Sequence, residues 1–216
     1  MLWAYAAAAV ALASLVALWL ARRPYRRADD TVHLEVSPGW LPLLAGLGVL
    51  VAGVLNSLWP PVVAGTYVLA LVWALTLALI DIEVRRLPDA LVLPAYPVAA
   101  ALLTVCSAIT ADWTSLLTAA ACAGGAVAGF LALALLSPGA EGLGLGDVKL
   151  AGVLGGMLGW LDWFNAVMGL LTGFVLGGLV ALILLVRKRA DRKSRMPFGP
   201  AMIMGAYLWC ALPPVG

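Results

Sequence analysis

Two isolated aspartates are the residues of this sequence best suited to chemistry. Asp81 directly follows an apolar run, and Asp147 directly follows a stretch rich in glycine. Two carboxyl groups a few ångströms apart cannot both ionise near neutral pH, so one of them keeps a proton. The ionised group then deprotonates a water while the protonated group polarises a peptide carbonyl, as in aspartyl proteolysis. Such a pair titrates as one coupled dyad.

Position alone also allows a structural role for both aspartates. Asp147 precedes an apolar run, where an acid suits the positive end of a helix dipole, and Asp81 marks the end of another run. The elements around the two aspartates are therefore needed to separate catalysis from helix-end stabilisation.

The elements that must position these aspartates are membrane helices. Of the 216 residues, 64% are hydrophobic and 11% are charged, whereas about a quarter are charged in soluble domains. The net charge of +2 gives no indication of nucleic-acid binding. A spanning helix needs about 20 apolar residues. Apolar runs lie at about 3–20, 40–58, 62–80, 90–110, 115–136, 148–162, 165–186 and 199–214. The sequence predicts an all-α integral membrane protein with about eight transmembrane helices.

Basic residues predict the orientation of these helices, because Lys and Arg concentrate in cytoplasmic loops. With the N-terminus outside, the inside segments are 21–39, 81–89, 137–149 and 187–198, and they hold all 13 Lys and Arg residues. Both termini are therefore predicted to lie outside. Asp81 and Asp147 then reach the cytoplasmic boundary, whereas Asp112 and Asp162 lie in outside loops beside Trp residues.

Three motifs at these boundaries resemble those of the type IV prepilin peptidases. The stretch 81–89 contains Asp81 followed eight residues later by the Asp of Leu87-Pro88-Asp89. The stretch 144–150 reads Gly-Leu-Gly-Asp-Val-Lys-Leu and matches the family's GxGD motif. The stretch 197–200 looks like its Pro-Phe-Gly-Pro. The resemblance covers about residues 40–216, and residues 1–39 are taken as a first helix with a short basic loop.

The resemblance implies a membrane aspartyl endopeptidase of the bacterial inner membrane. Such enzymes cut the short basic leader from type IV pilin-like precursors at the cytoplasmic face, typically just after a glycine. Asp81 and Asp147 match the family's two catalytic aspartates. Pilin precursors and the lipid bilayer are the implied partners, and the oligomeric state stays open.

Neighbouring motif residues are given supporting roles. Gly142, Gly144 and Gly146 are expected to let backbone approach Asp147 without Cβ crowding. Pro88 and Asp89 are expected to begin the fourth helix. Lys149 is two positions from Asp147, so it is expected to meet a lipid phosphate or a substrate acid instead of Asp147. The Pro-Phe-Gly-Pro stretch is expected to shape entry into the membrane.

The chain also departs from larger members of the family. Those members carry a zinc-binding cytoplasmic insertion with paired CxxC motifs, whereas Cys106, Cys122 and Cys210 all lie in apolar runs without that spacing. The single His33 has no Cys or His close by in sequence. We therefore expect a short form without metal or other cofactor, and methyl transfer, a second activity of larger members, stays open.

Two other classes of function compete with peptidase activity. A catalytically silent relative that acts as a scaffold for pilus or secretion assembly would carry the same motifs. A small transporter would also have eight spans, but it is expected to place polar residues near mid-membrane.

Overall fold

The computed structural model describes residues 57–136, 143–187 and 197–212, together with scattered positions from 7 to 55. Helices account for most of these described residues. His33 and Gly142 lie outside the described residues, as do most of the predicted spans 3–20 and 40–58. Seven helices are complete in the described part: α1 Pro61–Val84, α2 Asp89–Val92, α3 Ala95–Thr110, α4 Trp113–Leu136, α5 Leu145–Leu161, α6 Trp163–Val186 and α7 Gly199–Cys210.

Four helical segments are long and apolar enough to cross a membrane, namely Pro61–Val84, Asp89–Thr110, Trp113–Leu136 and Trp163–Leu184. They match four predicted spans and confirm that the described residues are helical and that four of their helical segments have the length and composition of membrane spans. Helix α5 has 17 residues and α7 has 12. These correspond to about 26 and 18 Å, shorter than a hydrocarbon core of about 30 Å. The total of eight spans and the sides of the termini stay predictions.

The helix predicted over 90–110 is interrupted. It consists of the single-turn α2 and the longer α3, separated by a turn at Leu93 and Pro94. Pro94 has no backbone N–H to donate to the preceding turn, so the regular helix stops before it and restarts at Ala95. The predicted span is nevertheless kept, because Asp89–Thr110 as a whole is long and apolar enough to cross a membrane.

Two compact units divide the chain, Met1–Val84 and Arg85–Gly216. Among the described residues of the first unit, helix α1 is complete, and it begins at Pro61, one residue before the predicted run 62–80. It ends at Val84, four residues beyond the predicted end at 80, and therefore contains Asp81 within its last turn. The predicted boundary between residues 39 and 40 falls outside the described residues and stays a prediction.

Helix α5 is the central helix of the second unit, and every residue from Leu150 to Leu161 is buried. Its glycines face α4 so closely that side chains would collide. A Cβ on Gly155 would lie 2.7 Å from the Cβ of Ala126, and one on Gly159 would lie 2.5 Å from the Cβ of Cys122. Small residues allow helix backbones to approach and pack tightly in a membrane. Glycine spacing therefore fixes α5 against α4.

Helices α6 and α7 pack together by the same device. A Cβ on Gly173 of α6 would lie 2.6 Å from the Cα of Met202 of α7. Close helix packing through small residues explains how the short α7 is held against a long neighbour.

The two acids predicted in outside loops are helix caps. The backbone N–H of Ser115 donates to Asp112 Oδ1 at 3.0 Å, and that of Phe164 donates to Asp162 Oδ1 at 3.0 Å. A side-chain oxygen that satisfies a free N–H stabilises the start of a helix. Both acids therefore have a structural role, at the starts of α4 and α6.

Candidate active site

Asp81 lies in the last turn of α1 and is only 4% exposed. The helix ends three residues later, and Arg85 then adopts a left-handed conformation with φ of 50°. A left-handed residue commonly terminates a helix. A buried carboxyl in a mostly apolar helix is a costly feature, typical of a functional residue in membrane proteins.

Glu83, two residues after Asp81, is held by a buried polar cluster that the sequence reasoning missed. Its carboxylate is 2% exposed. Tyr25 Oη donates to Glu83 Oε2 at 2.9 Å, and Arg26 Nε donates to Oε1 and forms an ion pair with it. Buried carboxylates need such partners. The cluster joins Tyr25 and Arg26 to the last turn of the helix that carries Asp81.

Asp147 lies in the first turn of α5, at the third helical position. Its Oδ2 accepts a hydrogen bond of 3.2 Å from the backbone N–H of Gly144, the residue before the helix. This contact is half of a capping box, in which an acid reaches back to the start of its own helix. A Cβ on Gly144 would lie 3.2 Å from that oxygen, so glycine leaves room for the carboxylate.

Partial burial determines the proton affinity of Asp147. This residue precedes the predicted span 148–162 and lies outside the four candidate membrane spans. Burial raises the pKa of this carboxyl from 3.8 to about 6, against the opposing effect of the hydrogen bond from Gly144. A carboxyl with this pKa keeps a proton for much of the time near pH 6. This property suits general acid catalysis.

The Leu87-Pro88-Asp89 motif lies against the start of α5. Pro88 has an extended backbone and precedes α2, and Asp89 is the first residue of that helix, as the sequence predicts. Leu87 packs on Gly146, where a Cβ would lie 3.1 Å from the leucine Cβ. Lys149 Nζ donates to Asp89 Oδ1 at 2.7 Å. The fold thus provides Lys149 with an acidic partner that helical spacing alone does not reveal.

The third motif packs on α6. The rings of Phe198 and Phe174 meet edge to face with centroids 5.6 Å apart. Phe198 also lies over Gly177, where a Cβ would be 2.6 Å from the phenylalanine Cδ2. Pro200 lies in the first turn of α7. These contacts agree with a structural role in starting α7.

The second unit therefore brings together most of the predicted site residues: Pro88, Asp89, Gly144, Gly146, Asp147 and Lys149. Asp81 belongs to the first unit, and its pairing with Asp147 stays a prediction. Among residues missed from the sequence, Glu83 had a detectable signal, because it is a second acid beside Asp81 in a chain with few charges.

The long apolar helices, with the buried Asp81 and Glu83 in the last turn of α1, are features of a helical membrane protein. A family model for the type IV leader peptidase family matches residues 68–182, a stretch that contains Asp81, Asp89 and Asp147. The chain belongs to the type IV leader peptidase family, as its motifs predict.

Curated relatives agree with this assignment. A prepilin leader peptidase/N-methyltransferase of Pseudomonas putida is 35% identical over 147 residues, which cover 65% of this chain and 47% of that protein. The protein of the same name from Pectobacterium carotovorum subsp. carotovorum is 32% identical over 196 residues, or 87% of this chain and 64% of that protein. The chain spans about half the length of several such relatives. No solved structure gives a significant match.

Proposed function

We propose that this protein is a membrane aspartyl endopeptidase that removes the leader peptide from type IV pilin-like precursors at the cytoplasmic face. The family match supports the reaction class, and the relatives' names supply the substrate class. The observation that carries the proposal is the half-buried Asp147 carboxyl of the GxGD motif, which accepts a hydrogen bond from Gly144 and has a pKa raised to about 6.

Asp81 and Asp147 act as the dyad in this proposal. The ionised carboxylate takes a proton from water, whose oxygen attacks the scissile carbonyl carbon. The protonated carboxyl donates its proton to the carbonyl oxygen, giving a tetrahedral diol. The C–N bond then breaks as the protonated carboxyl gives its proton to the leaving amine nitrogen and the other carboxylate takes a proton from a diol hydroxyl. The products are a new carboxyl terminus and a free amine, and the dyad again holds one proton.

The raised pKa of Asp147 keeps part of its population protonated near pH 6, so this carboxyl can serve as the proton donor of the pair at that pH. Apparent pKa values measured in cleavage assays will belong to the pair. Gly144 supports the reaction because its N–H holds the Asp147 carboxylate at the start of α5. The enzyme works from the bacterial inner membrane, where the precursor's apolar segment also lies.

Leader removal from a co-expressed pilin precursor tests the proposal, with cleavage followed by gel shift. Asp81→Asn and Asp147→Asn are each expected to abolish cleavage at equal membrane levels. Asp112→Asn is the matched control, because Asp112 caps α4 and asparagine is also a good capping residue.

Retained cleavage in either dyad variant would contradict the mechanism. A wild-type protein that reaches the membrane but cleaves none of the precursors encoded beside it would favour the silent scaffold.

A further inference from the structure

One face of α5 is held by the segment that contains the Leu-Pro-Asp motif. Gly146, Lys149 and Gly152 follow one another at three-residue spacing, so they lie on the same side of the helix. Gly146 contacts Leu87, and Lys149 contacts Asp89. All these residues belong to the second unit.

Tyr96 extends the same contact by one turn. Its hydroxyl donates to the backbone carbonyl of Lys149 at 2.8 Å. The hydroxyl occupies the space where a Cβ on residue 152 would lie, which explains why this position is a glycine. Leu87, Asp89 and Tyr96 therefore hold three successive positions along one face of α5.

Lys149 is the fifth residue of α5, in its second turn, where the helix dipole has little effect on a charge. The ion pair is partly exposed, with side-chain exposures of 33% for Lys149 and 61% for Asp89. Partly exposed ion pairs contribute little to global stability. The contact nevertheless restricts how α5 can rotate or fray, because it joins the second turn of that helix to the Leu-Pro-Asp motif.

We propose that Lys149 and Asp89 are positioning residues. Together with Leu87 and Tyr96 they form a clasp on the first two turns of α5 that fixes the direction of the Asp147 carboxyl. This inference rests on the proposed peptidase function. Asp147 neighbours Gly146 and projects from an adjacent side of the helix, so a rotation or fraying of the first turn moves its carboxyl directly.

Removing either charge tests the clasp. Lys149→Gln and Asp89→Asn are each expected to lower kcat roughly tenfold to a hundredfold, the range that small misplacements of catalytic groups produce. KM is expected to change less than about twofold, because the substrate contacts are kept. Lys149→Arg retains the pair and is expected to keep most activity. Arg187→Gln, at the end of α6, controls for loss of one positive charge.

The double variant Asp89→Lys with Lys149→Asp separates the clasp from other roles of Lys149. A clasp requires opposite charges at the two positions, so the double variant is expected to recover at least tenfold in kcat over Lys149→Gln. If Lys149 instead bound substrate or acted on Asp147 through its charge, the reversal would restore nothing. That result would overturn the proposal, as would single variants that alter KM alone or leave kcat unchanged.

Hydrogen exchange gives a second measurement that does not need cleavage. Amides of residues 148–152 are expected to exchange several-fold faster in Lys149→Gln than in the wild type, and to recover protection in the reversed pair. Unchanged exchange in Lys149→Gln would overturn the clasp. If the wild type cleaved no precursor, the proposed function would fail, and exchange alone would decide whether the clasp exists.

Discussion

Replacing Asp147 by Asn is expected to stabilise the protein at neutral pH while abolishing its activity. The folded-state pKa of about 6 lies above the usual 3.8. The folded state therefore binds the proton more tightly than the unfolded chain does. The free energy of unfolding then falls as pH rises from about 4 to 6, and it stays lower above that window.

The size of this effect follows from the same two values. The rise from 3.8 to about 6 corresponds to about 3 kcal/mol, at about 1.4 kcal/mol for each pH unit. Asp147→Asn removes this cost because asparagine does not ionise, and its side-chain oxygen still accepts from Gly144. The variant is expected to be about 3 kcal/mol more stable than the wild type at pH 8, with most of this gain lost at pH 4.

Reversible unfolding in detergent between pH 4 and pH 8 measures the difference between variant and wild type. Every carboxyl other than Asp147 is common to both proteins, so the pH dependence of the difference reports on Asp147 and its coupling to partners. Asp112→Asn gives the opposite sign. Hydrogen bonds from the Ser115 backbone N–H and hydroxyl lower the pKa of Asp112, so its stabilisation is lost as pH falls. A difference for Asp147→Asn that stays constant with pH would refute the reasoning.

Three further expectations follow from the structure. Glu83→Gln removes the buried carboxylate that pairs with Arg26, and it is expected to lower the free energy of unfolding by about 3 to 5 kcal/mol. The double variant Glu83→Gln with Arg26→Gln is expected to lower the free energy of unfolding by less, because no unpaired charge remains from this pair. Gly159→Ala is expected to cost about 1 to 3 kcal/mol because its Cβ would lie 2.5 Å from that of Cys122, while Gly124→Ala, with open space around it, is expected to cost nothing measurable in thermal unfolding. Cleavage is expected to survive EDTA, and its loss on chelation with recovery on zinc addition would contradict the metal-free dyad.

Local signals predicted most helix positions. Helix α1 starts at Pro61, one residue before the predicted run 62–80, whereas α5 starts at Leu145, three residues before the predicted run 148–162. Proline and glycine act on neighbouring backbone, so their effects are readable from sequence. The break at Pro94 was missed because the apolar run continues unchanged across it.

Long-range partners were not predictable in the same way. Arg26 pairs with Glu83, and Lys149 pairs with Asp89, although the members of each pair are far apart in sequence. A hydropathy pattern does not show which charged residues pair with each other. Asp81 and Asp147 stand out in the sequence because so few charged residues interrupt the apolar runs. The surrounding motifs then identified both aspartates as candidate catalytic residues. The contact between the Leu-Pro-Asp segment and α5 depended on tertiary packing, which the spacing of the motifs did not reveal.

The most direct test of the central claim is mass spectrometry of a purified pilin precursor incubated with the purified protein in lipid vesicles. We expect one cut, between the basic leader and the apolar segment of the precursor, and no cut with Asp81→Asn or Asp147→Asn. An intact precursor with the folded wild-type protein, or the same cut with either variant, would contradict a peptidase that works through these two aspartates.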